Sequence, residues 1–213
     1  MAGNVAPRIG WSIGGELSGS PALRVAFVLF RISPHLNVRV GQATPPSGLE
    51  RSTNPLTAEL IERSRLTLQL TNGLDMGMTV MSGAPIKRWV GYAVSVVNGT
   101  GFNRTDDNRA KDVVARLRVT PPAIPGLIVN VSGATGEQLV GTRKRATVGA
   151  QYDGRTVKIG IEGIRQTIDA DPPSRGVVLF GAWRLRPAVP TPHFRMLEFG
   201  ARFFFLTRLQ LVF

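Results

Sequence analysis

The sequence predicts an all-β fold, a transmembrane antiparallel β-barrel of about 10 to 12 strands. Three observations carry this expectation. Apolar and polar residues alternate in runs close to the length that crosses a bilayer at a tilt. The runs are separated by turn residues drawn from 24 glycines and 15 prolines. The polar faces of the runs carry arginine and glycine, which suit a crowded, wet interior. Alternation alone also fits a soluble sandwich, whose apolar face points into a core. Strand length, the polar-face residues and the alternation of short turns with longer loops favour the barrel, whose apolar face points to lipid.

The elements follow in order. Leu23 to Ile32 is a strand, Ser33-Pro34-His35 a tight turn, and Leu36 to Gln42 its partner, with Leu36, Val38 and Val40 on one face and Asn37 and Arg39 on the other. Ala43 to Arg65 is a long connection. Gly73 to Met81 and Arg88 to Val97 pair around Ser82-Gly83-Ala84-Pro85, and a polar loop runs from Asn98 to Arg109. In Asp112 to Val119 the apolar face holds Val113, Ala115, Leu117 and Val119, and the polar face Arg116 and Arg118. A proline-rich turn leads to Leu127, Val129 and Val131. Gly133 to Thr142 reads as a loop. Arg143 to Tyr152 turns at Asp153-Gly154, a hairpin signal, into Val157, Ile159 and Ile161 opposite Lys158 and Glu162. Val177, Leu179 and Trp183 alternate with Arg184 and Arg186. The last run, Arg202 to Phe213, sets Phe203, Phe205, Leu209, Leu211 and Phe213 against Phe204, Arg208 and Gln210. Residues 1–21 and 187–201 fit the pattern poorly.

Composition bounds the function. The 213 residues read as one domain, 1–213, carrying 26 Lys+Arg against 14 Asp+Glu, a formal charge of +12. Only Lys87, Lys111, Lys144 and Lys158 are lysines. The arginine excess favours planar, bidentate recognition of phosphate and carboxylate, and points to nucleic acid, an anionic surface or small anions. No cysteine is present, which removes disulfides, thiolate nucleophiles and cysteine-based metal sites. The longest apolar run, Val25 to Phe30, is too short for a spanning helix. The segment Met1 to Arg8 lacks the apolar core of a signal peptide, so an exported protein would be a mature or shortened form.

Several segments, taken in order, resemble the phosphate-selective porin O and P family. They are Leu36-Asn-Val-Arg-Val-Gly-Gln-Ala-Thr-Pro-Pro-Ser-Gly-Leu-Glu-Arg51, Ile61-Glu-Arg-Ser64, Gly73-Leu-Asp-Met-Gly77, Tyr92-Ala-Val-Ser-Val-Val-Asn-Gly-Thr-Gly101 and Lys111-Asp-Val-Val-Ala-Arg-Leu117. The resemblance spans roughly residues 22 to 186 and implies a water-filled, anion-passing channel in the outer membrane of a Gram-negative bacterium. It also implies a homotrimer, phosphate among the solutes, and an aromatic terminus, here Phe213, read by the outer-membrane assembly machinery. Family members resembling this chain have sixteen strands, more than 213 residues can supply. The chain is therefore read as a shortened member or a fragment, with a narrower lumen because width grows with strand number.

Two sets of residues are candidates for lining a pore. The resemblance implies that the connection 43–65, which follows the Gly41-Gln42 pair, is an inward-folded loop, the candidate constriction loop. Asn54-Pro55 reads as an N-cap with proline at the first helical position, opening a short helix to about Ser64. Arg51, Arg63 and Arg65 either line the narrowest point or pair with Glu50, Glu59 and Glu62 to brace the loop. The second set is the arginine face of the strands: Arg39, Arg116, Arg118, Arg143, Arg145, Lys158, Arg184 and Arg186. Such a ladder eases the passage of anions while offering many weak sites; alternatively these charges are solvated or paired with Asp112 and Glu162. Trp89, Tyr92, Tyr152, Trp183, Phe194, Phe199 and Phe203 are candidates for interfacial girdles.

Other motif matches carry little. Gly10-Trp-Ser12-Ile-Gly14 fits a nucleophile elbow but lacks a strand–turn–helix context. Gly136 to Arg143 lacks the Gly-Lys-Ser/Thr end of a phosphate-binding loop. Asn98-Gly-Thr and Asn103-Arg-Thr match a glycosylation pattern only, and Asp106 and Asp107 lack EF-hand spacing. No enzyme activity, catalytic residue, metal or cofactor is expected. The alternatives are a truncated or non-conducting structural barrel and a soluble basic β-domain that binds nucleic acid. The second is disfavoured because the arginines are spread over many strands.

Overall fold

The computed structural model describes residues 1–16, 22–53, 63–86, 89–106, 109–138, 141–169, 171–185 and 197–206. Twelve strands form one sheet. They are β1 (Ala2–Ala6), β2 (Ile9–Glu16), β3 (Ala22–Ser33), β4 (Leu36–Ala43), β5 (Asp75–Met81) and β6 (Val90–Val97). Then come β7 (Asp112–Val119), β8 (Leu127–Gln138), β9 (Gly141–Asp153), β10 (Val157–Ile168), β11 (Ser174–Leu185) and β12 (Leu197–Leu206). Each strand pairs antiparallel with its sequence neighbours, so the order in space is the order in sequence. Among the described residues β1 and β12 do not pair with each other, and the sheet is open at those two edges. Two short helices, α1 (Leu49–Ser52) and α2 (Arg65–Leu70), lie in the connection between β4 and β5.

The distribution of polarity separates the two readings of alternation. On β10 the buried side chains are Lys158, Glu162, Ile164, Gln166 and Ile168, and the residues between them point outward. Val148 is 60% exposed, Ile159 56% and Trp183 54%, while Ser95 and Glu162 are fully buried. Leucines, valines and isoleucines of this kind belong inside a water-soluble protein. Here they cover the outer face of the sheet and the polar side chains line its inner face, as in a barrel that meets lipid outside and water inside.

Several sequence expectations are corrected. Residues 1–16 form β1 and β2, although their strand signal is broken by glycines. Gly133 to Gln138 is strand, not loop, and β8 is followed by β9 after residues 139–140. The glycines there mark a close approach of neighbouring groups. A Cβ on Gly136 would lie 1.5 Å from Asp112 Oδ1, so only glycine lets that carboxylate sit beside the strand. The contrast of short turns and long loops is real but uneven. One end of the sheet has turns at 7–8, 34–35 and 154–156, whereas the other carries the long connections 44–74 and 98–111. Ser64, the expected end of a helix whose body lies outside the described residues, opens α2. Its hydroxyl accepts the Thr67 N–H at 3.1 Å as the N-cap of α2. The expected cap at Asn54-Pro55 lies outside the described residues, as do Phe194 and Phe213.

Candidate functional site: the inner face and the inward loop

The strand register places the basic residues. Arg39 pairs with Thr79, Ala93 with Arg116, and Arg116 with Ser132. Ala134 pairs with Arg145, Gln166 with Arg145, and Lys158 with Asp153 and Ala182. Cross-strand partners share a face, so Arg39, Arg116, Arg118, Arg143, Arg145, Lys158 and Arg184 all stand on the inner face. Arg186 lies outside the described residues.

These residues divide by partner. Arg143 Nη2 donates to Asp112 Oδ2 at 2.7 Å. Arg184 Nη1 donates to Asp153 Oδ1 at 2.5 Å, and Lys158 Nζ stands 4.0 Å from the same carboxylate. Arg145 donates from Nε to Gln166 Oε1 at 2.7 Å. Arg39 donates from Nη2 to the Thr44 carbonyl at 2.9 Å and to Thr79 Oγ1 at 3.2 Å, and its guanidinium lies 5.4 Å from the Phe27 ring centroid. None of the described carboxylates forms an ion pair with Arg39, Arg116 or Arg118.

The connection between β4 and β5 folds across this face, and Glu162 holds it there. The Glu162 carboxylate accepts the Leu49 N–H at 2.5 Å and the Glu50 N–H at 3.0 Å. These are unsatisfied donors at the start of α1, and a carboxylate suits a helix start. Gly48 makes the approach feasible. Its φ is 73°, and a Cβ there would come within 2.7 Å of Glu162 Oε1, so a side chain is excluded twice. The Gly48 N–H donates to Ser132 Oγ at 2.9 Å, and Ser132 shares a hydrogen bond with Thr147. Glu50 in turn accepts the Ser64 N–H at 2.8 Å, the Ser64 hydroxyl at 2.6 Å and the Thr67 hydroxyl, joining α1 to α2. Below them Leu66 and Leu70 pack on Ile164, Val178 and Phe180. Burial of each leucine contributes about 1.5–3 kcal/mol. Farther along, Asn72 Nδ2 donates to Asp112 Oδ2 at 3.2 Å.

The loop arginines bond to the backbone of the connection itself. Arg51 donates from Nε to the Asn72 carbonyl at 3.1 Å, and Arg63 from Nη2 to the Thr53 carbonyl at 3.0 Å. Arg63 Nε is buried without a partner. Burial, together with the nearby charges of Arg63 and Arg24, pulls the Arg51 guanidinium down to about 10. A cation so placed is short of negative charge. Arg65, the first residue of α2, is exposed. Glu59 and Glu62 lie outside the described residues. Residue patterning thus located the arginines and put Glu162 on a polar strand face, but it did not show that Glu162, Ser132, Thr67 and the two leucines hold the loop. The only sequence signal for them was a carboxylate and small hydroxyls on strand faces that should be wet. Among the described residues no cluster of histidine and carboxylates could hold a metal ion.

A meander of strands that buries polar groups and exposes apolar ones is the wall of an outer-membrane β-barrel protein. The chain belongs to the family described as phosphate-selective porin O and P, whose model matches residues 5–173. No curated protein sequence matches it. Its fold is similar to outer-membrane expressed OmpT of Vibrio cholerae, with a TM-score of 0.61 and 11% identity over 96% of this chain and 66% of that one. It is likewise similar to the in-vitro folded, trimeric form of Vibrio cholerae OmpT, with a TM-score of 0.60 and 12% identity over 96% of this chain and 67% of that one. The chain spans about two thirds of the length of those proteins. Family and fold together place it in the bacterial outer membrane.

Proposed function

We propose that this chain forms the wall and constriction loop of a passive porin that prefers anions, acting by passage of solute and not by chemistry. The observation that carries the reading is the fate of the carboxylates. Glu162 is consumed by the loop, and Asp112 and Asp153 by Arg143, Arg184 and Lys158. That leaves Arg39, Arg116 and Arg118 on the inner face without an ion-paired carboxylate among the described residues, with Arg51 and Arg63 adding positive charge on the loop. Small anions, phosphate among them, match such a wall in charge and geometry. A homotrimer is supported by the trimeric OmpT of like fold.

The test is a planar bilayer holding the protein across a salt gradient. Reversal potentials should report anion preference, and Arg63→Ala should reduce it. Cation selectivity would defeat the arginine argument. One observation favours a second reading, a structural wall without a conducting path: β1 and β12 are unpaired among the described residues. A complete lack of single-channel steps would support that reading. The exposed apolar outer face removes the support for a soluble nucleic-acid-binding domain.

A further inference from the structure

Some inner-face side chains are apolar, and most of these are covered. Ile164, Val178 and Phe180 on β10 and β11 meet Leu66 and Leu70 of the inward loop. Val97 and Val114 on β6 and β7 are buried. The apolar residues of β3 differ. Phe27 pairs with Ser12 and Gly41, and Leu29 with Gly10 and Arg39, so both share the face of Arg39. Val25, opposite Gly14, continues the strip. All three keep part of their surface exposed. The loop does not account for them, because α1 lies against β9 and α2 against β10 and β11.

Two cations frame this strip. The Arg39 guanidinium stands 5.4 Å from the Phe27 ring centroid. Its Nη2 is engaged by the Thr44 carbonyl and Thr79 Oγ1, which leaves Nε and Nη1. Arg31 follows Leu29 by two residues on the same face, about 7 Å along the strand, and donates from Nη1 to Asn4 Oδ1 at 3.1 Å. Neither guanidinium forms an ion pair with a described carboxylate. In the row of Phe27 the next two strands carry Gly41 and Gly77, so no side chain stands beside the ring there. Apolar surface left open to water is unfavourable, and it offers a small hydrated anion nothing.

We propose that Phe27, Leu29 and Arg39, with Arg31 and Val25 at the two ends, form a solute-binding site for an aromatic carboxylate. The carboxylate takes charge-assisted hydrogen bonds from the guanidinium donors that Thr44 and Thr79 leave over. The ring of the solute lies along Leu29 and packs on Phe27, offset or edge to face. Inorganic phosphate meets only the cations, and a neutral aryl solute only the strip. An aromatic carboxylate uses both together. The site deepens the porin reading by naming a solute class, and it rests on that reading in taking the inner face as wet.

Ligand-observed NMR titration of the detergent-folded full chain, referenced to protein-free micelles, tests it with benzoate, acetate, benzyl alcohol and inorganic phosphate. Benzoate should bind most tightly. F27A should weaken benzoate about fivefold through the lost aromatic contact, with acetate nearly unchanged. L29A, the milder change should F27A fail to fold, should weaken benzoate about threefold and spare acetate. R39Q should weaken benzoate and acetate alike, by about tenfold. Benzyl alcohol or phosphate bound as tightly as benzoate would overturn the proposal. So would undiminished benzoate binding by a folded F27A or L29A. Chloride conductance in a planar bilayer separates the two readings. Benzoate binding without conductance defeats the channel and leaves the site standing, whereas conductance with benzoate bound no better than acetate defeats the site alone.

Discussion

The inner face of β3 to β7 and that of β8 to β11 are built from similar residues to opposite ends. On the first side Arg39, Arg116 and Arg118 stand without carboxylate partners among the described residues. On the second, the basic groups are tied to Asp112, Asp153 and Gln166, and Glu162 and Ser132 grip the inward loop. One side supplies an open positive field, and the other supplies anchorage. Net charge alone does not distinguish them, because what matters is where the few carboxylates are spent.

The sharpest way to break this division is Glu162→Ala. It strands two buried N–H donors at the start of α1 and should loosen the loop by roughly 2–4 kcal/mol. Limited proteolysis within 43–65 should accelerate while the strands stay protected. Unchanged cleavage would mean that the leucines alone hold the loop.

Gly136→Val should have a smaller, local effect. The new side chain must displace Asp112, separating it from Arg143 and Asn72, at about 1–3 kcal/mol. A lowered thermal midpoint measured by heat-modifiable mobility checks this, and a wild-type midpoint would show that Asp112 can move freely.

The finest discrimination comes from paired permeability measurements. R116A/R118A should lower the anion-to-cation permeability ratio, each charge acting on the order of 1 kcal/mol through water, about fivefold. R143A/D112A should change the ratio much less, because it removes a cation and its paired carboxylate together and leaves the net charge of the wall unaltered. Equal effects from the two sides would erase the distinction.

Much of the wall was legible in the sequence. Alternation at Asp112 to Val119 and Val157 to Ile161 fixed which residues share a face, because a strand has a period of two. The arginine face followed directly. The loop's attachments did not, since Glu162 and Ser132 meet Gly48 across more than 80 residues of chain and nothing local marks that meeting. Gly133 and Gly136 misled for a related reason. A glycine that opens a turn and a glycine that admits a distant carboxylate look alike until the neighbour is known.

The strand lengths have one more consequence. β5 to β7 have 7 or 8 residues, while β8 to β11 have 12 or 13. At the loop end the β8–β9 pairing continues past Thr135, where β7 stops pairing, through Gly136, Glu137 and Gln138. That adds roughly 10 Å of wall on one side. The mouth is thus a ramp and not a level ring. Arg39 and Arg116 stand midway along the low side and Arg118 near its short-turn end, so the field that draws an anion in lies deeper than the rim. Capture of anions should then fall steeply as ionic strength rises, even where the narrowest point of the path is unaltered.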